Sequence, residues 1–466
     1  MLEKIFKLSE NKTDVKTEIL AGITSFMAMA YILMVNSNMF ASLGVVSYNA
    51  VYIATAISAV IGTLLIGLLA NLPLALASGM GLNAFFVYTV CFTFGLSYAN
   101  GLVLVLFDGL LFVVLTVTGI RAKLFNAIPM CVRIAIPAGI GLFIAFIGLQ
   151  DAGIVVADTS TCVNLVSFNL FNGNATWATV MPKLITIFTL MIIAVLASKK
   201  VKGSVFFGIL GGTFGYYILG FTIPGFYDGF GANFSFNPFK AFGEWGSQAF
   251  GKVFTQGFDF SAYLANHTSA ELVILIITTA LAFCLVDMFD TLGTLYGACS
   301  RGDLLTKEGD VPNFEKAMLS DAVATVVGSV CGTSTVTTFV ESSAGVAEGG
   351  RTGLSAITTA AMFFVAMFLS PVASLIPTYA TAGALIYVGV LMMGGVKNIE
   401  WDDPASAVPA FLTLAMMPLA YNISYGIAFG VISYIIIHVF AGKIKEIKSF
   451  TWVVGILFVL MFFLTH

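Results

Sequence analysis

The feature that most constrains this chain is a recurring run of about 20 apolar residues, the length a helix needs to cross a bilayer. The chain is 59% hydrophobic and only 10% charged, whereas soluble domains carry about 25% charged residues. Soluble packing cannot bury so much apolar surface. The sequence therefore predicts an all-α polytopic protein whose partner is the lipid bilayer.

Fourteen apolar segments are predicted, in two groups of seven separated by a polar, aromatic-rich stretch. They lie at 17–40, 48–70, 74–93, 100–120, 127–149, 180–198 and 204–222, and at 271–298, 316–332, 335–346, 355–377, 380–397, 405–421 and 423–441. A shorter apolar run, 452–464, either lies at the membrane surface or packs as a terminal helix. We divide the chain into a first repeat (1–222), a connection (223–269), a second repeat (270–442) and a C-terminal tail (443–466).

Lysine and arginine residues cluster in loops that this topology places on one face. The clusters lie at 4–16, 121–123, 199–202, 301–316 and 443–448. Such residues mark the cytoplasmic side of a membrane protein. The pattern predicts a multi-pass protein of the cell membrane with both termini in the cytoplasm.

Two internal similarities support a seven-plus-seven arrangement. Residues 137–145 resemble residues 381–389, and residues 62–79 can be laid over residues 328–345. Because seven is odd, the two halves would be inverted relative to each other. Interrupted segments in corresponding positions of inverted halves are typical of a secondary transporter with a binding site at the membrane midplane.

The interrupted segments are the third and the tenth. Residues 71–86 contain proline, glycine, serine and asparagine, and residues 332–345 are rich in threonine and serine. Both patterns favour extended backbone that runs into a short helix, which is tolerated at depth where it lines a cavity or is buried in protein. The N–H groups that begin such a helix suit a carbonyl or anionic ligand group. The alternative is a kinked helix at a packing contact, where small residues allow close approach.

Three carboxylates stand out in the eighth and tenth segments. Asp287 and Asp290 are spaced i, i+3 and share one helix face, and Glu341 lies in the second interrupted segment. A carboxylate at bilayer depth costs at least ~2.5–3.5 kcal/mol and is usually functional. Two neighbouring carboxylates favour retention of a proton. The alternative for either aspartate is a local hydrogen bond, for example to Thr291 or Thr294.

Other charged residues suggest structural roles. We expect Asp321 near a membrane interface, and Glu348 and Arg351 as a local ion pair in a glycine-rich cytoplasmic turn. The sequence has no nucleotide-binding fingerprint, metal-ligand cluster or nucleophile–base pair. It therefore predicts no metal, no cofactor other than a coupling proton, no enzyme and no nucleic-acid partner, with transport driven by an ion gradient.

Several motifs together identify a family resemblance. They are Lys-Leu-Ser-Glu-Asn-Lys-Thr-Asp-Val-Lys-Thr-Glu at 7–18, Asn-Leu-Pro-Leu-Ala-Leu-Ala-Ser-Gly-Met-Gly-Leu-Asn-Ala-Phe-Phe at 71–86, Phe-Asp-Thr-Leu-Gly-Thr at 289–294, Gly-Thr-Ser-Thr at 332–335 and Val-Glu-Ser-Ser-Ala-Gly at 340–345. Over nearly its whole length the chain resembles the nucleobase–cation symporters, in the AzgA-like branch of purine permeases for hypoxanthine, guanine and adenine. The resemblance implies two inverted seven-segment repeats arranged as a core and a gate domain. It also implies proton-coupled purine uptake by a homodimer.

The resemblance also implies roles for individual residues. Asp290 and Glu341 would contact the base, and Asn83 corresponds to an asparagine linked to binding. Ser78 stands where many members of this branch have proline. The predicted substrate-binding residues are Asp290, Glu341, Asn83, Ser78, Gly79, Ala344 and Gly345, and the predicted proton-coupling residues are Asp290, Asp287 and Glu341.

The leading hypothesis is therefore a proton symporter that imports purine nucleobases. The alternative is a transporter of the same fold for uracil, xanthine, or an organic or inorganic anion. An anion transporter would be expected to place positive charge near the half-helix ends, where this sequence has Asp290 and Glu341. A membrane-embedded enzyme is a third hypothesis, which no motif supports.

Overall fold

The computed structural model describes residues 2–118, 128–171, 175–223, 237–306 and 310–464, without the side chains of Phe289, Arg301 and Leu464. Fourteen apolar segments occur in these residues, at the predicted places. Nine of the helices described are long and apolar enough to cross a membrane. The protein is thus a polytopic membrane protein built mostly of helices.

The first seven segments follow one another with short connections. Segment 1 consists of two helices, Val15–Met29 and Tyr31–Ala41, and segment 2 of the helix Tyr48–Leu65 and a π-helical turn, Ile66–Ala70. Segment 3 consists of strand β1 (Leu76–Ser78), the helix Met80–Ala84 and the π-helix Phe85–Thr93. Segments 4 to 7 are the helices Tyr98–Thr118, Met130–Asp151, Trp177–Ser198 and Ser204–Thr222.

The second seven segments repeat this order. Segments 8 and 9 are the helices Ser269–Arg301 and Phe314–Cys331. Segment 10 consists of strand β4 (Val336–Thr338), the 3-10 turn Val340–Ser342 and the helix Ser343–Ala347. Segments 11 to 14 are the helices Gly353–Met367, Thr378–Met392, Pro404–Leu419 and Ile423–Phe440, and a 3-10 turn, Met393–Asn398, extends segment 12.

Several smaller elements lie outside the fourteen segments. They are the helices Leu2–Phe6, Pro238–Gln248, Lys252–Thr255, Ser261–Leu264 and Ser370–Ala373, the 3-10 turn Ile444–Glu446, and the antiparallel strands β2 (Val155–Asp158) and β3 (Cys162–Leu165). Segment 11 is shorter than the predicted 355–377, because its helix ends at Met367 and the next begins with Pro371 at its first turn. Part of the predicted 223–269 connection, residues 224–236, lies outside the described residues, as do Arg121, Lys123 and Lys307.

The two interrupted segments cross each other at β1 and β4. These strands pair antiparallel, with Ala77 opposite Thr337 at the centre. The Gly79 N–H donates to the Thr335 carbonyl at 2.9 Å, and the Phe339 N–H donates to the Ala75 carbonyl at 3.0 Å. The backbone polar groups of two broken helices are thereby satisfied away from water, which explains why extended chain is stable at this depth.

Glycine contacts show the inverted repeat in the packing of the later segments. A Cβ atom on Gly139 of segment 5 would lie 3.1 Å from the Thr413 carbonyl oxygen of segment 13, and one on Gly383 of segment 12 would lie 2.9 Å from Thr189 Cβ of segment 6. Segment 5 therefore packs against segment 13 as segment 12 packs against segment 6. This symmetry supports the predicted correspondence of residues 137–145 with 381–389.

The second predicted correspondence is wrong in register. The pairing of β1 with β4 is symmetric about Ala77 and Thr337, so Ser78 is equivalent to Thr338 and not to Ala344. The preceding helices end at left-handed residues, Asn71 and Gly332, which are close to this register. The sequence alignment of 62–79 with 328–345 matched Gly62 with Gly328 and Gly79 with Gly345 instead, and glycine recurs easily in apolar segments.

The segments form a core and a gate domain. Segments 1 to 4 pack with segments 8 to 11, and segments 5 to 7 pack with segments 12 to 14. Segments 5 and 12 cross closely, since a Cβ atom on Gly141 would lie 2.7 Å from the Gly389 carbonyl oxygen. The interface between the two domains positions the candidate site. The predicted boundaries of the two repeats stay a prediction.

The C-terminal apolar run is the helix Ser449–Leu464, which packs along segment 14. The two helices are antiparallel, because Gly455 faces Ile435 and the ring of Phe462 lies 5.4 Å from that of Tyr425 at the start of segment 14. We call the face at which segment 1 begins the N-terminal face. Phe462 lies toward the opposite face, which disagrees with the prediction of two cytoplasmic termini.

Candidate functional site

A cavity of about 200 Å³ lies where the crossed strands meet segment 8 and the gate domain. Its walls come from segments 1, 3, 8 and 10 of the core and from segments 5 and 12 of the gate. The residues that line it are Tyr31, Gly79, Met80, Gly81, Pro137, Asp290, Gly293, Thr294, Thr338, Phe339, Val340, Glu341, Val388, Leu391 and Met392. The predicted site residues Asp290, Glu341 and Gly79 are among them.

The structure brings Asp290 and Glu341 to one cavity from different elements. Asp290 lies on segment 8, and its Oδ2 lies 3.9 Å from where a Cβ atom on Gly79 would be. Glu341 lies in the 3-10 turn that follows β4. Because the strand ends before it, Glu341 faces the space between core and gate. Two acidic side chains at one cavity can accept hydrogen bonds from N–H donors of a ligand.

Tyr31 is a cavity residue that the sequence analysis missed. Its hydroxyl donates a 2.6 Å hydrogen bond to Glu341 Oε1. Tyr31 begins the second helix of segment 1, directly after the helix break at Ala30. The signal available in the sequence was a tyrosine inside an apolar run, since a buried tyrosine hydroxyl usually finds a partner.

Ser78 and Asn83 lie behind the cavity and do not line it. The Ser78 hydroxyl donates to Asn83 Oδ1 at 2.7 Å, and Asn83 Nδ2 donates to the Ser78 carbonyl at 3.3 Å. Ser78 Oγ also lies 3.0 Å from Thr333 Oγ1, which accepts a 3.0 Å hydrogen bond from Asn36 Nδ2. These bonds fix the junction between β1 and the next helix, so both side chains position the Gly79–Gly81 backbone. Direct contact with a ligand stays a prediction for both.

Ala344 and Gly345 lie in the helix that follows Glu341, outside the cavity lining. Gly345 packs against Ala21 and Ser25 of segment 1, where a Cβ atom on Gly345 would lie 2.5 Å from the Ala21 carbonyl oxygen. Its absent side chain thus allows segment 10 to approach segment 1. The predicted binding role of these two residues is not tested by this contact.

Asp287 belongs to a separate group of buried carboxyl groups around β4. Asp287 Oδ2 accepts a 3.4 Å hydrogen bond from the Thr325 hydroxyl, and Asp108 Oδ2 accepts a 3.1 Å bond from the Thr335 hydroxyl. Asp321 Oδ1 accepts 3.0 Å and 3.2 Å bonds from the N–H and hydroxyl of Thr338. All three carboxyl groups are fully buried.

This arrangement corrects two expectations. Asp321 does not lie near a membrane interface but within the core domain, bonded to β4. Glu348 pairs with Lys202 and not with Arg351, whose guanidinium donates to the carbonyl groups of Val346 and Gly350. Glu348 and Arg351 are close in the sequence, which favoured a pair between them. The fold instead brings Lys202, in the loop between segments 6 and 7, to Glu348.

The chemistry of the cavity suits a small, flat ligand with N–H groups. Its lining residues include two acidic side chains and no lysine or arginine in the part of the chain that is described. The glycine backbone at 79–81 leaves one wall without side-chain bulk. No group of three or more His, Cys, Asp or Glu residues that could hold a metal ion occurs in the described ranges.

Comparison with known proteins places the chain in a family. Residues 16–429 match the profile of a family described as "Permease family". The chain is 40% identical to the guanine/hypoxanthine permease PbuO of Bacillus subtilis, over 99% of this chain and 100% of that protein. It is 36% identical to the adenine permease AdeP of Escherichia coli, over 99% of this chain and 95% of that protein.

Among solved structures, the fold is similar to the transmembrane domain of the cyanobacterial bicarbonate transporter BicA. The TM-score is 0.63 at 15% sequence identity, and the alignment covers 88% of this chain and 97% of that domain. This likeness shows the shared inverted-repeat transporter fold. The family match covers most of the chain, and the relatives and the family are permeases rather than enzymes. The chain therefore belongs to this permease family, among the nucleobase–cation symporters that its motifs resemble.

Proposed function

We propose that this protein imports purine nucleobases, hypoxanthine or guanine and also adenine, by symport with protons. The observation that carries the proposal is the meeting of Asp290 and Glu341 at one cavity between core and gate. The names of the relatives support the substrate class, since they are permeases for adenine and for guanine and hypoxanthine.

The chemistry of a purine fits the groups at this cavity. A neutral purine presents ring N–H donors, which Asp290 and Glu341 can accept, and a flat ring that suits the glycine wall at 79–81. The Tyr31 hydroxyl holds one oxygen of Glu341 at 2.6 Å, which leaves its other oxygen to the ligand. Two acidic groups, with no basic residue among the described residues of the lining, disfavour an anion as substrate.

A neutral substrate carries no charge to which a gradient could couple. Protonation of a site carboxylate would supply that coupling. In this proposal Asp290, Glu341 and Asp287 share the coupling proton, and the loaded, protonated carrier crosses between its two orientations. The deprotonated site resists that movement because an unpaired charge is costly to bury. The carrier acts in the cell membrane with the N-terminal face in the cytoplasm, and as a homodimer.

Uptake measurements test the substrate and the coupling separately. The protein is expressed in cells that lack their own nucleobase permeases and is offered labelled hypoxanthine, guanine, adenine, xanthine and uracil. We expect saturable uptake of purines that collapses when the proton gradient is abolished. Absence of saturable uptake of every nucleobase would reject the substrate class. Uptake that is unaffected by loss of the gradient would reject proton symport alone.

A further inference from the structure

A second cavity, of about 290 Å³, lies at the interface of core and gate toward the face opposite the N-terminal face. Core residues of segments 1 and 3 and gate residues of segments 5 and 12 line it. They are Val35, Asn38, Met39, Ala41, Ser42, Tyr88, Asp151, Thr378, Thr381 and Leu385. We call it the distal cavity, and the cavity at Asp290 and Glu341 the site cavity.

The two cavities lie along the same interface at different depths. Segment 5 contributes Pro137 to the site cavity and Asp151 to the distal cavity, and at 1.5 Å per residue these positions are about 21 Å apart along the helix. Segment 12 contributes Leu391 to the first and Thr381 to the second. A ligand that moves along segments 5 and 12 would therefore pass from one cavity to the other.

An apolar contact between core and gate separates them. A Cβ atom on Gly81, which lines the site cavity, would lie 2.5 Å from Ile140 Cγ2 on segment 5. Tyr421, which follows segment 13, packs against Phe143 within the gate domain, and its ring lies 5.6 Å from that of Tyr88 of the core. Core and gate are therefore in direct contact between the site cavity and the distal cavity.

Three hydrogen bonds also connect core to gate at the distal cavity. Asn38 Nδ2 donates to Thr381 Oγ1 at 3.3 Å, and the Tyr88 hydroxyl donates to Asp151 Oδ1 at 3.3 Å. Beside them, the Thr89 hydroxyl donates to the Tyr421 carbonyl at 3.1 Å. The two bonds at the cavity are both 3.3 Å long, beyond the usual range for their donors, so they are weak and can break without a large cost in free energy.

The site cavity differs, because it extends toward the N-terminal face. Leu391, near the end of segment 12, and Val340, just after β4, line it and are 48% and 46% exposed. The structure thus combines exposed lining residues toward the N-terminal face with core–gate contacts toward the opposite face.

We propose that the distal cavity is a vestibule and that Asn38, Tyr88, Asp151 and Thr381 form the gate that closes it toward the site cavity. A nucleobase entering from the distal face reaches Asp290 and Glu341 only after the bonds from Asn38 to Thr381 and from Tyr88 to Asp151 break. This inference rests on the proposed function for the identity of the ligand.

The test locks the gate with a short bifunctional thiol reagent that a reductant can remove. Asn38→Cys and Thr381→Cys are combined in a protein that also carries Cys162→Ser, because Cys162 is exposed. We expect purine uptake to fall at least ten-fold after treatment of the double variant, to recover on reduction, and to stay unchanged in either single variant. Hypoxanthine should still bind the purified, locked protein, because the site cavity remains open at the N-terminal face.

The other possible results contradict either the gate or the proposed function. Full uptake by the cross-linked protein, or failure of the two thiols to cross-link, would overturn the gate. Loss of hypoxanthine binding on locking would contradict the proposal that the gate lies only on the distal side of the site cavity. A protein that cross-links as expected but binds and transports no nucleobase before locking contradicts the proposed function and leaves the gate geometry supported.

A second measurement uses the lining residue Leu385, which is only 3% exposed. In the Cys162→Ser protein, Leu385→Cys is labelled with a membrane-impermeant maleimide. Tyr88→Phe removes the bond to Asp151 and keeps the ring, and we expect it to raise the labelling rate several-fold. Tyr52→Phe is the matched control, because the Tyr52 hydroxyl donates to the Ala366 carbonyl at 2.9 Å within the core domain. Equal labelling rates in both variants would contradict the proposed role of Tyr88.

Discussion

At the scale of single residues, the site depends on carboxyl groups and the hydroxyl groups that orient them. Asp290 and Glu341 line the cavity, and Tyr31 holds Glu341. Asp287, Asp108 and Asp321 are bound instead by threonine hydroxyls around β4. Residue type and apolar surroundings do not separate these two groups; only the family resemblance singled out Asp290 and Glu341 as the pair that would contact the base.

The first prediction concerns the two cavity carboxylates. Asp290→Asn and Glu341→Gln keep the side-chain size but replace an acceptor oxygen with an N–H donor, which would face a purine N–H. The loss of a hydrogen bond to a charged group costs about 1.5–3 kcal/mol, so uptake should fall at least ten-fold in each variant. Uptake rates and membrane abundance are measured together. Asp158→Asn, in the β2–β3 hairpin, is the control, and normal uptake by both site variants would refute their assignment.

The second prediction concerns Tyr31. Tyr31→Phe removes the hydroxyl that donates to Glu341 Oε1 at 2.6 Å, so Glu341 is less fixed and the KM for purine should rise about ten-fold, or about 1.4 kcal/mol. Tyr52→Phe, which loses a hydrogen bond to backbone away from the cavity, should keep the native KM. An unchanged KM for Tyr31→Phe would show that the orientation of Glu341 does not depend on this bond.

At the scale of elements, the crossed strands β1 and β4 determine where the binding groups lie. Each strand replaces about one helical turn, and each leads into a short helix. The antiparallel pairing holds the two broken segments together without water. At Gly79, which lines the cavity, the two interrupted segments approach each other closely, since a Cβ atom there would lie 2.7 Å from Thr337 Cγ2.

The third prediction follows from that contact. Gly79→Ala forces β1 and β4 apart, and overpacking of this kind typically costs about 1–3 kcal/mol. We expect a lower melting temperature of the purified protein and reduced uptake. Gly297→Ala on segment 8 is the control, because nothing lies within 4 Å of its added Cβ atom. If Gly79→Ala had the melting temperature and the uptake rate of the control, the crossing of β1 and β4 would accommodate an added methyl group that the observed packing leaves no space for.

At the scale of the whole molecule, function depends on two domains that contact each other at both faces. On the distal side these contacts are hydrogen bonds and aromatic rings. On the N-terminal face, the ion pair of Lys202 and Glu348 joins the loop between segments 6 and 7 to the end of segment 10. Both side chains are partly exposed, so the pair is worth about 0–1 kcal/mol.

The fourth prediction concerns this ion pair. Glu348→Gln removes one interdomain contact, and we expect the maximal uptake rate to change less than about five-fold, as fits an energy below about 1 kcal/mol. The difference from the native protein should shrink at high ionic strength, because salt screens exposed charges. Glu10→Gln, which removes an exposed pair with Lys7 inside the N-terminal region, should have no effect. A change much larger than five-fold would mean that Glu348 has a further role.

Much of the architecture was predictable. Apolar run length predicted the fourteen segments, and proline, glycine and small polar residues predicted the breaks in segments 3 and 10. The i, i+3 spacing of Asp287 and Asp290 suggested a shared role, yet the structure places only Asp290 at the cavity. Tyr31, Asp108 and the Lys202–Glu348 pair were not predicted, because each acts through a partner more than 100 residues away.

The sequence by itself therefore determined the membrane class, the segment count and the carboxylates worth considering, because the cost of polar groups in hydrocarbon is read from composition and run length. The tertiary structure alone decided that Asp287 lies outside the cavity, how β1 and β4 are aligned, and that the C-terminal helix runs back along segment 14. These outcomes depend on which side chains meet across the fold. Close approaches such as Gly79 to Thr337 and Gly81 to Ile140 are properties of packing, which one-dimensional patterns do not record.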